Sequence, residues 1–160
     1  MKIRAVLDTS SLLGPFRHRL VYCAFKGAYR IVWSSFLIAE LVRIRTEWGI
    51  RQGIPRRVYR GNINKLIDDL SRISMFAKYT NLQGGNYEDW LHDPDDWPLL
   101  ATALAGHARY IVSENTRDFP PNGVFAGVSY MTPDAFLEII YERHPRLKRT
   151  GDAEELYRLP

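Results

Sequence analysis

Four carboxylates carry the chemistry that this sequence offers: Asp8, Glu40, Asp96 and Asp118. Clustered carboxylates repel one another, so a group of them backed by apolar residues persists best around a cation. Ligands that are all oxygen favour Mg²⁺ or Mn²⁺ over zinc. Such an ion activates water as a nucleophile and neutralises charge on a phosphate under attack, which is hydrolysis without a covalent enzyme intermediate. Each acid also has a plain structural use. Asp8 and Asp96 suit helix N-caps, Asp118 suits its own Asn-Thr-Arg-Asp turn, and Glu40 suits a solvated face with Arg43 and Glu47. Only their convergence separates the two uses, and that depends on the elements around them.

Lys2 to Leu7 reads as a short buried strand that ends at Asp8, with Thr9, Ser10 and Ser11 as turn and helix-start residues. A helix from about Arg17 to Phe25 precedes a β-branched and aromatic strand, Tyr29 to Trp33. Helices follow over about Phe36 to Trp48 and Arg56 to Ile73, and a weaker strand signal covers Met75 to Tyr79. In the first of these helices Leu37, Leu41, Ile44 and Trp48 share one face. Pro98 to Gly106 is helical, Tyr110 to Val112 and Val128 to Met131 are strands, and Pro133 opens a helix to about Tyr141. Strands alternating with helices predict an α/β fold, a three-layer α/β/α sandwich around a central parallel sheet. One domain over residues 1–142 is expected, with a charged, loosely held tail over 143–160.

In open α/β sheets ligands bind outside the carboxyl ends of the strands. Asp8 ends the first strand, Asp118 follows the strand at Tyr110 to Val112, and Asp96 opens a helix that leads back to it. Glu40 lies roughly 100° from the centre of its helix's apolar stripe, a boundary position from which it can reach the same rim. Asp93 and Asp95 compete with Asp96 for one place. Asp96 is preferred because it stands one turn before Leu99 and Leu100, with Asp93 as the substitute.

The chain has 160 residues, 46% hydrophobic and 25% charged, which fits a globular domain and excludes disorder, collagen and coiled coil. No apolar run approaches the ~18 residues of a membrane helix, and the start is too short in apolar residues for a signal peptide. Cys23 is the one cysteine, so no internal disulfide forms. A cytoplasmic protein with no membrane partner is expected. The net charge is +4, with cations crowded from Arg43 to Lys65 and from Arg143 to Arg149. A basic protein with an acidic focus suits a bound cation inside a phosphate backbone. Arg43 and Arg117 are candidate phosphate contacts, and Trp97, beside Asp96, is a candidate for stacking a base. The isolated His18, His92, His107 and His144 lack partners at catalytic spacing.

At these residues the sequence resembles the PIN-domain family of ribonucleases, in particular its VapC-like toxin branch, from Lys2 to about Glu142. Val6-Leu7-Asp8-Thr9-Ser10 is similar to the first acidic motif, and Ile38-Ala39-Glu40-Leu41 to the helical glutamate segment. Asp93-Pro94-Asp95-Asp96, followed by an alanine-rich helix, is similar to the third acid. Ser113-Glu114-Asn115-Thr116-Arg117-Asp118 is similar to the last motif, where Ser113, Asn115 and Asp118 would line the metal site. The resemblance implies Mg²⁺ or Mn²⁺ dependence, RNA cleavage, a homodimer and a cognate antitoxin of a type II toxin–antitoxin pair. Ser10 departs from the family, which often has asparagine there, and leaves a shorter supporting hydrogen bond. The apolar and basic stretch from Phe36 to Ile73 is the expected dimer contact.

Two other function classes compete. A Mg²⁺-dependent phosphatase of the haloacid-dehalogenase kind wants a second Asp two residues after the first, where this chain has Ser10, and a receiver-like domain wants an acidic pair where only Asp8 stands. A catalytically silent PIN-like module for RNA or protein binding would keep the fold without the metal.

Overall fold

Ile3–Leu7, the first strand, is buried at every residue but Arg4, the near-continuous apolar run that a strand covered on both faces requires. The second, Tyr29–Trp33, repeats the pattern with only Arg30 exposed. The computed structural model describes residues 2–78, 97–120 and 122–149, apart from the side chains of Asp118 and Arg149. In chain order the elements are β1 (Ile3–Leu7), α1 (Thr9–Leu13), α2 (Arg17–Phe25), β2 (Tyr29–Trp33), α3 (Ser35–Arg51), α4 (Arg56–Ile73) and β3 (Ser74–Phe76). They continue as α5 (Trp97–Ala105), β4 (Tyr110–Val112), a 3-10 turn (Thr116–Asp118), β5 (Val124–Phe125), β6 (Val128–Met131), α6 (Pro133–Arg143) and α7 (Pro145–Arg149).

The sheet runs β3-β2-β1-β4-β6-β5. Every pairing is parallel except that of β5 with β6. Alternate side chains point to opposite faces, and helices cover both, so the expected α/β/α sandwich is what the chain forms. On one face Phe136 of α6 meets Tyr29 edge-on at 4.9 Å and Tyr110 at 5.5 Å. Tyr29 also donates its hydroxyl to the carbonyl of Leu20 in α2, at 2.9 Å. On the other face α5 packs over β1, β2, β4 and β6. Cys23 is fully buried, and burial pushes its thiol up to about 11, so it packs and does not react.

The residues after Asp8 form a short helix, in keeping with their helix-start chemistry. Three features differ from the sequence expectation. β5 adds an antiparallel edge hairpin, turning through Ala126 and Gly127, both at positive φ. Trp48 is not on the buried stripe: Leu37 and Leu41 are buried, but Trp48 remains 49% exposed. The second half of α3 packs on α4 instead, where Gly49 lets Tyr59 close in; a Cβ at 49 would lie 2.8 Å from the Cβ and Cγ of Tyr59. Lastly, the start of the expected tail is ordered as α7, tied to α6 by Lys148 to Glu138 at 2.8 Å. Among the described residues no helix is long and apolar enough to cross a membrane.

The close seating of α5 on β2 depends on Gly106, where a Cβ would collide with Cγ1 of Val32 and lie 3.1 Å from the carbonyl of Thr102. Overpacking of a tight core costs about 1–3 kcal/mol. Gly106→Ala is therefore expected to lose about that much stability in urea unfolding. Adding Val32→Ala should recover part of the loss, a coupling that a double-mutant cycle reads directly.

Candidate functional site

Asp8 stands one residue beyond β1, and its backbone N–H continues the ladder by donating to the carbonyl of Val112 at 2.9 Å. The parallel register sets Leu7 against Val112, so the next residues, Asp8 and Ser113, are neighbours across the strand ends. Asp8 occupies the N-cap position of α1, yet its side chain makes no capping hydrogen bond. Two hydroxyls converge on its carboxylate instead: Ser10 donates to Oδ2 at 2.6 Å and Ser113 donates to the same oxygen at 2.7 Å. Each serine oxygen in turn accepts a backbone N–H, Ser10 from Glu114 at 3.1 Å and Ser113 from Asn115 at 3.0 Å. A hydroxyl has one proton, and both protons are committed to Asp8. The 3.3 Å approach of the two serine oxygens is therefore proximity imposed by their shared acceptor. Among the described residues, Oδ1 of Asp8 receives no hydrogen bond and neither Asp8 nor Glu40 has an ion pair.

Glu40 arrives from α3. Ser34 caps that helix, accepting from the N–H of Leu37 at 3.5 Å and from the Thr102 hydroxyl at 2.8 Å, a buried link to α5. One and a half turns later Glu40 is half-buried, and its Oε2 accepts the hydroxyl of Thr9 at 2.6 Å. Thr9 follows Asp8 directly and is buried. The solvated-face alternative for Glu40 does not hold, because Arg43 pairs with Glu47 at 3.0 Å and stands 61% exposed.

A small cavity opens beside Asp8. Its walls are Leu99, Ile111, Phe119 and Tyr130 on the apolar side and Asp8, Ser113 and Asn115 on the polar side, with a volume of about 30 Å³. That is room for one or two waters or one ion. Its apolar wall lowers the local dielectric and so strengthens any charge interaction made there.

The structure thus brings together Asp8, Ser10, Ser113 and Asn115, with Glu40 linked to them through Thr9. Thr9 and the backbone N–H of Glu114 are supporting groups that the sequence pattern did not single out; the motif contained Thr9, but a turn-type residue gives no sign of reaching a glutamate 31 positions away. The backbone of Asp118 closes the 3-10 turn beside this edge. Asp93, Asp95, Asp96 and His92 lie outside the described residues, as does the side chain of Asp118. Arg117 is exposed on the 3-10 turn, while Trp97 is partly buried against the core at the start of α5. His18, His107 and His144 do not line the cavity. Among the described residues no three of His, Cys, Asp and Glu gather as a metal-binding group; of the four acids proposed for one, that description includes the side chains of Asp8 and Glu40 alone. The donors that do gather are oxygen atoms, the kind that suits Mg²⁺ or Mn²⁺. Compared with family models, with curated proteins and with solved structures, the chain matches none.

The hydroxyl web is directly testable. Ser113→Ala removes a donor to a carboxylate and an acceptor for the Asn115 N–H, and hydrogen bonds to charged groups are worth about 1.5–3 kcal/mol. Urea unfolding should show a loss of about that size, with Ser113→Thr losing much less because it keeps the hydroxyl. Equal stability of the alanine variant and the parent would mean that Ser113 does not hold Asp8.

Proposed function

We propose that the protein is a metal-dependent ribonuclease that hydrolyses RNA phosphodiester bonds. The observation that carries this reading is the state of Asp8. It sits at the carboxyl end of a central parallel strand, where α/β sheets bind their ligands. Its carboxylate is oriented by two neutral hydroxyls and is not neutralised by a cation among the described residues. A carboxylate whose only need was to cap α1 would bond the helix N–H groups, which this one does not.

The donor set fits Mg²⁺ or Mn²⁺. Asp8 would hold the ion, with Glu40, Asp96 and Asp118 as the other acids and Asn115 at the cavity mouth. When bound, the ion supplies a Lewis acid for the phosphate and an activated water for in-line attack. The chain's own residues do the rest. Ser10 and Ser113 fix the rotation of the Asp8 carboxylate, and Thr9 fixes that of Glu40, so that neither acid needs to reorganise as charge develops. The apolar cavity wall restricts bulk water. Arg117, on the turn that ends in Asp118, would meet a neighbouring phosphate, and Arg43, one turn beyond Glu40, would do so on exchanging its Glu47 partner for one.

The net charge of +4 supports a polyanionic substrate, and the ordered motifs that resemble PIN-domain ribonucleases favour RNA over a small phosphate ester. A cognate antitoxin rests on that resemblance alone. A homodimer rests on it together with the apolar surface left at the α3–α4 junction, where Ile50 and Val58 are 63% and 49% exposed.

Asp8→Asn keeps the size of the side chain and an acceptor for both serines while removing the charge. RNA cleavage in Mg²⁺ or Mn²⁺ is expected to fall by several orders of magnitude, since the ion supplies both nucleophile and charge neutralisation. The metal-free fold should keep a stability close to the parent's, because relief of carboxylate repulsion offsets the weakening of the two charge-assisted hydrogen bonds from Ser10 and Ser113. Glu40→Gln, Asp96→Asn and Asp118→Asn should behave alike, whereas Asp95→Asn keeps most activity. Cleavage mapped on a mixed RNA panel with Mg²⁺, Mn²⁺ or EDTA is the measurement. An Asp8→Asn chain that cuts at the parent's rate ends the proposal.

A further inference from the structure

A second and larger cavity, about 340 Å³, lies where α2, α3 and α4 meet, and Asp8 and Glu40 are not among its lining residues. Its walls carry three cations, Arg17, Arg45 and Lys65, and two aromatic rings, Trp48 and Tyr59, with the amide of Asn62. Among the described residues Asp69 is the one acid of its walls. The volume is within the usual range for ligand sites, roughly 300–1,000 Å³. We propose that this cleft holds one or two bases and the adjoining phosphates of single-stranded RNA, outside the cutting site.

The rings are set for stacking. Trp48 is half exposed, and the Arg45 guanidinium lies 5.7 Å from its ring centre, a cation–π arrangement that stiffens the ring without enclosing it. Tyr59 is pressed onto Gly49 at a point where no side chain would fit, so its ring is a fixed part of the wall. Bases stack on such faces whatever their sequence, and cations along the groove track the backbone.

The cleft is also in reach of the site, and in this the inference rests on the proposed nuclease reading. Arg45 and Trp48 follow Glu40 on the same helix by five and eight residues, roughly 8–12 Å at ~1.5 Å per residue. Arg17 opens α2, the next long helix after Asp8. The helix that carries Glu40, and the long helix that follows α1, therefore both contribute to the walls of the cleft.

A second copy of the chain is the poorer occupant. A two-fold contact would set Arg17, Arg45 and Lys65 against the same three cations, and like charges in an interface are costly.

The test is fluorescence anisotropy of the full chain with a labelled, unstructured RNA of about 12 nucleotides, in EDTA so that nothing is cut. Trp48→Leu is expected to weaken binding about 5- to 150-fold and Trp48→Phe only slightly, as the loss of one stacked base predicts. Arg45→Gln with Lys65→Gln should reduce the slope of log affinity against log salt by about 1.4, near 0.7 per cation for single strands. The inference is overturned if Trp48→Leu binds as the parent does, if duplex RNA or polyglutamate competes as well as the single strand, or if sedimentation shows that Trp48→Leu turns a dimer into a monomer. Weakened binding in Trp48→Leu beside a parent chain that cuts no RNA with either metal leaves the cleft standing and removes the nuclease reading. Metal-dependent cutting with unaltered Trp48→Leu binding does the reverse.

Discussion

The parallel pairing of β1 with β4 fixes the register on which the whole carboxyl edge depends. Leu7 lies against Val112, and the Val112 carbonyl then accepts twice, from the N–H of Asp8 and from the hydroxyl of Ser11, both at 2.9 Å. Ser113 is held from the other side, its N–H donating to Met131 of β6. A slip of one residue would turn Ser113 to the opposite face and leave the Asp8 carboxylate with Ser10 alone. Sheet register, set by the burial of β1 and β4 on both faces, is thus what orients a polar side chain at the edge. The serines serve this role because they are short. Each can reach Asp8 only if the backbone is already in place.

Glu40 obeys a different constraint. Its position depends on where α3 begins and how the helix rotates, and both are fixed by contacts away from the edge. Ser34 caps the first turn and is bonded by Thr102 of α5, which ties α3 to the helix covering the other face of the sheet. Leu37 and Leu41 then seat the helix on the core. Between these anchors Glu40 has little freedom, and the Thr9 hydroxyl takes up the remaining choice of rotamer. Gly49 continues the same logic further along, bringing α4 close enough to make the larger cleft.

Much of this was legible in the sequence. The runs at Ile3–Leu7, Tyr29–Trp33 and Tyr110–Val112 announce buried parallel strands because nearly every residue is apolar. From those strand ends the meeting of Asp8 with Ser10, Ser113 and Asn115 follows from topology alone. The misses have physical causes. Val124–Phe125 is two residues long, too short to show any alternation. Trp48 has the spacing of a core residue, but periodicity cannot tell that α4, not the sheet, covers the end of α3. The tie of Thr9 to Glu40 joins residues from two elements whose relative rotation is set by tertiary packing, so no local pattern encodes it.

Charge placement links the two surfaces. The candidate site offers carboxylates and hydroxyls, and an RNA phosphate brought there alone would meet repulsion from Asp8 and Glu40, sharpened by the apolar wall of the cavity. Of the nearer cations, Arg43 is committed to Glu47 at 3.0 Å, while Arg117 stands exposed on its turn. More positive charge lines the cleft, at Arg17, Arg45 and Lys65, with Arg45 roughly 8 Å along α3 from Glu40 at ~1.5 Å per residue. A strand drawn to the cleft would therefore approach an edge that repels it unless a divalent ion lies between acid and phosphate. On the proposed reading, that separation makes binding and cutting distinct requirements. The cleft would retain the strand without metal, and only the ion would let the scissile phosphate reach Asp8.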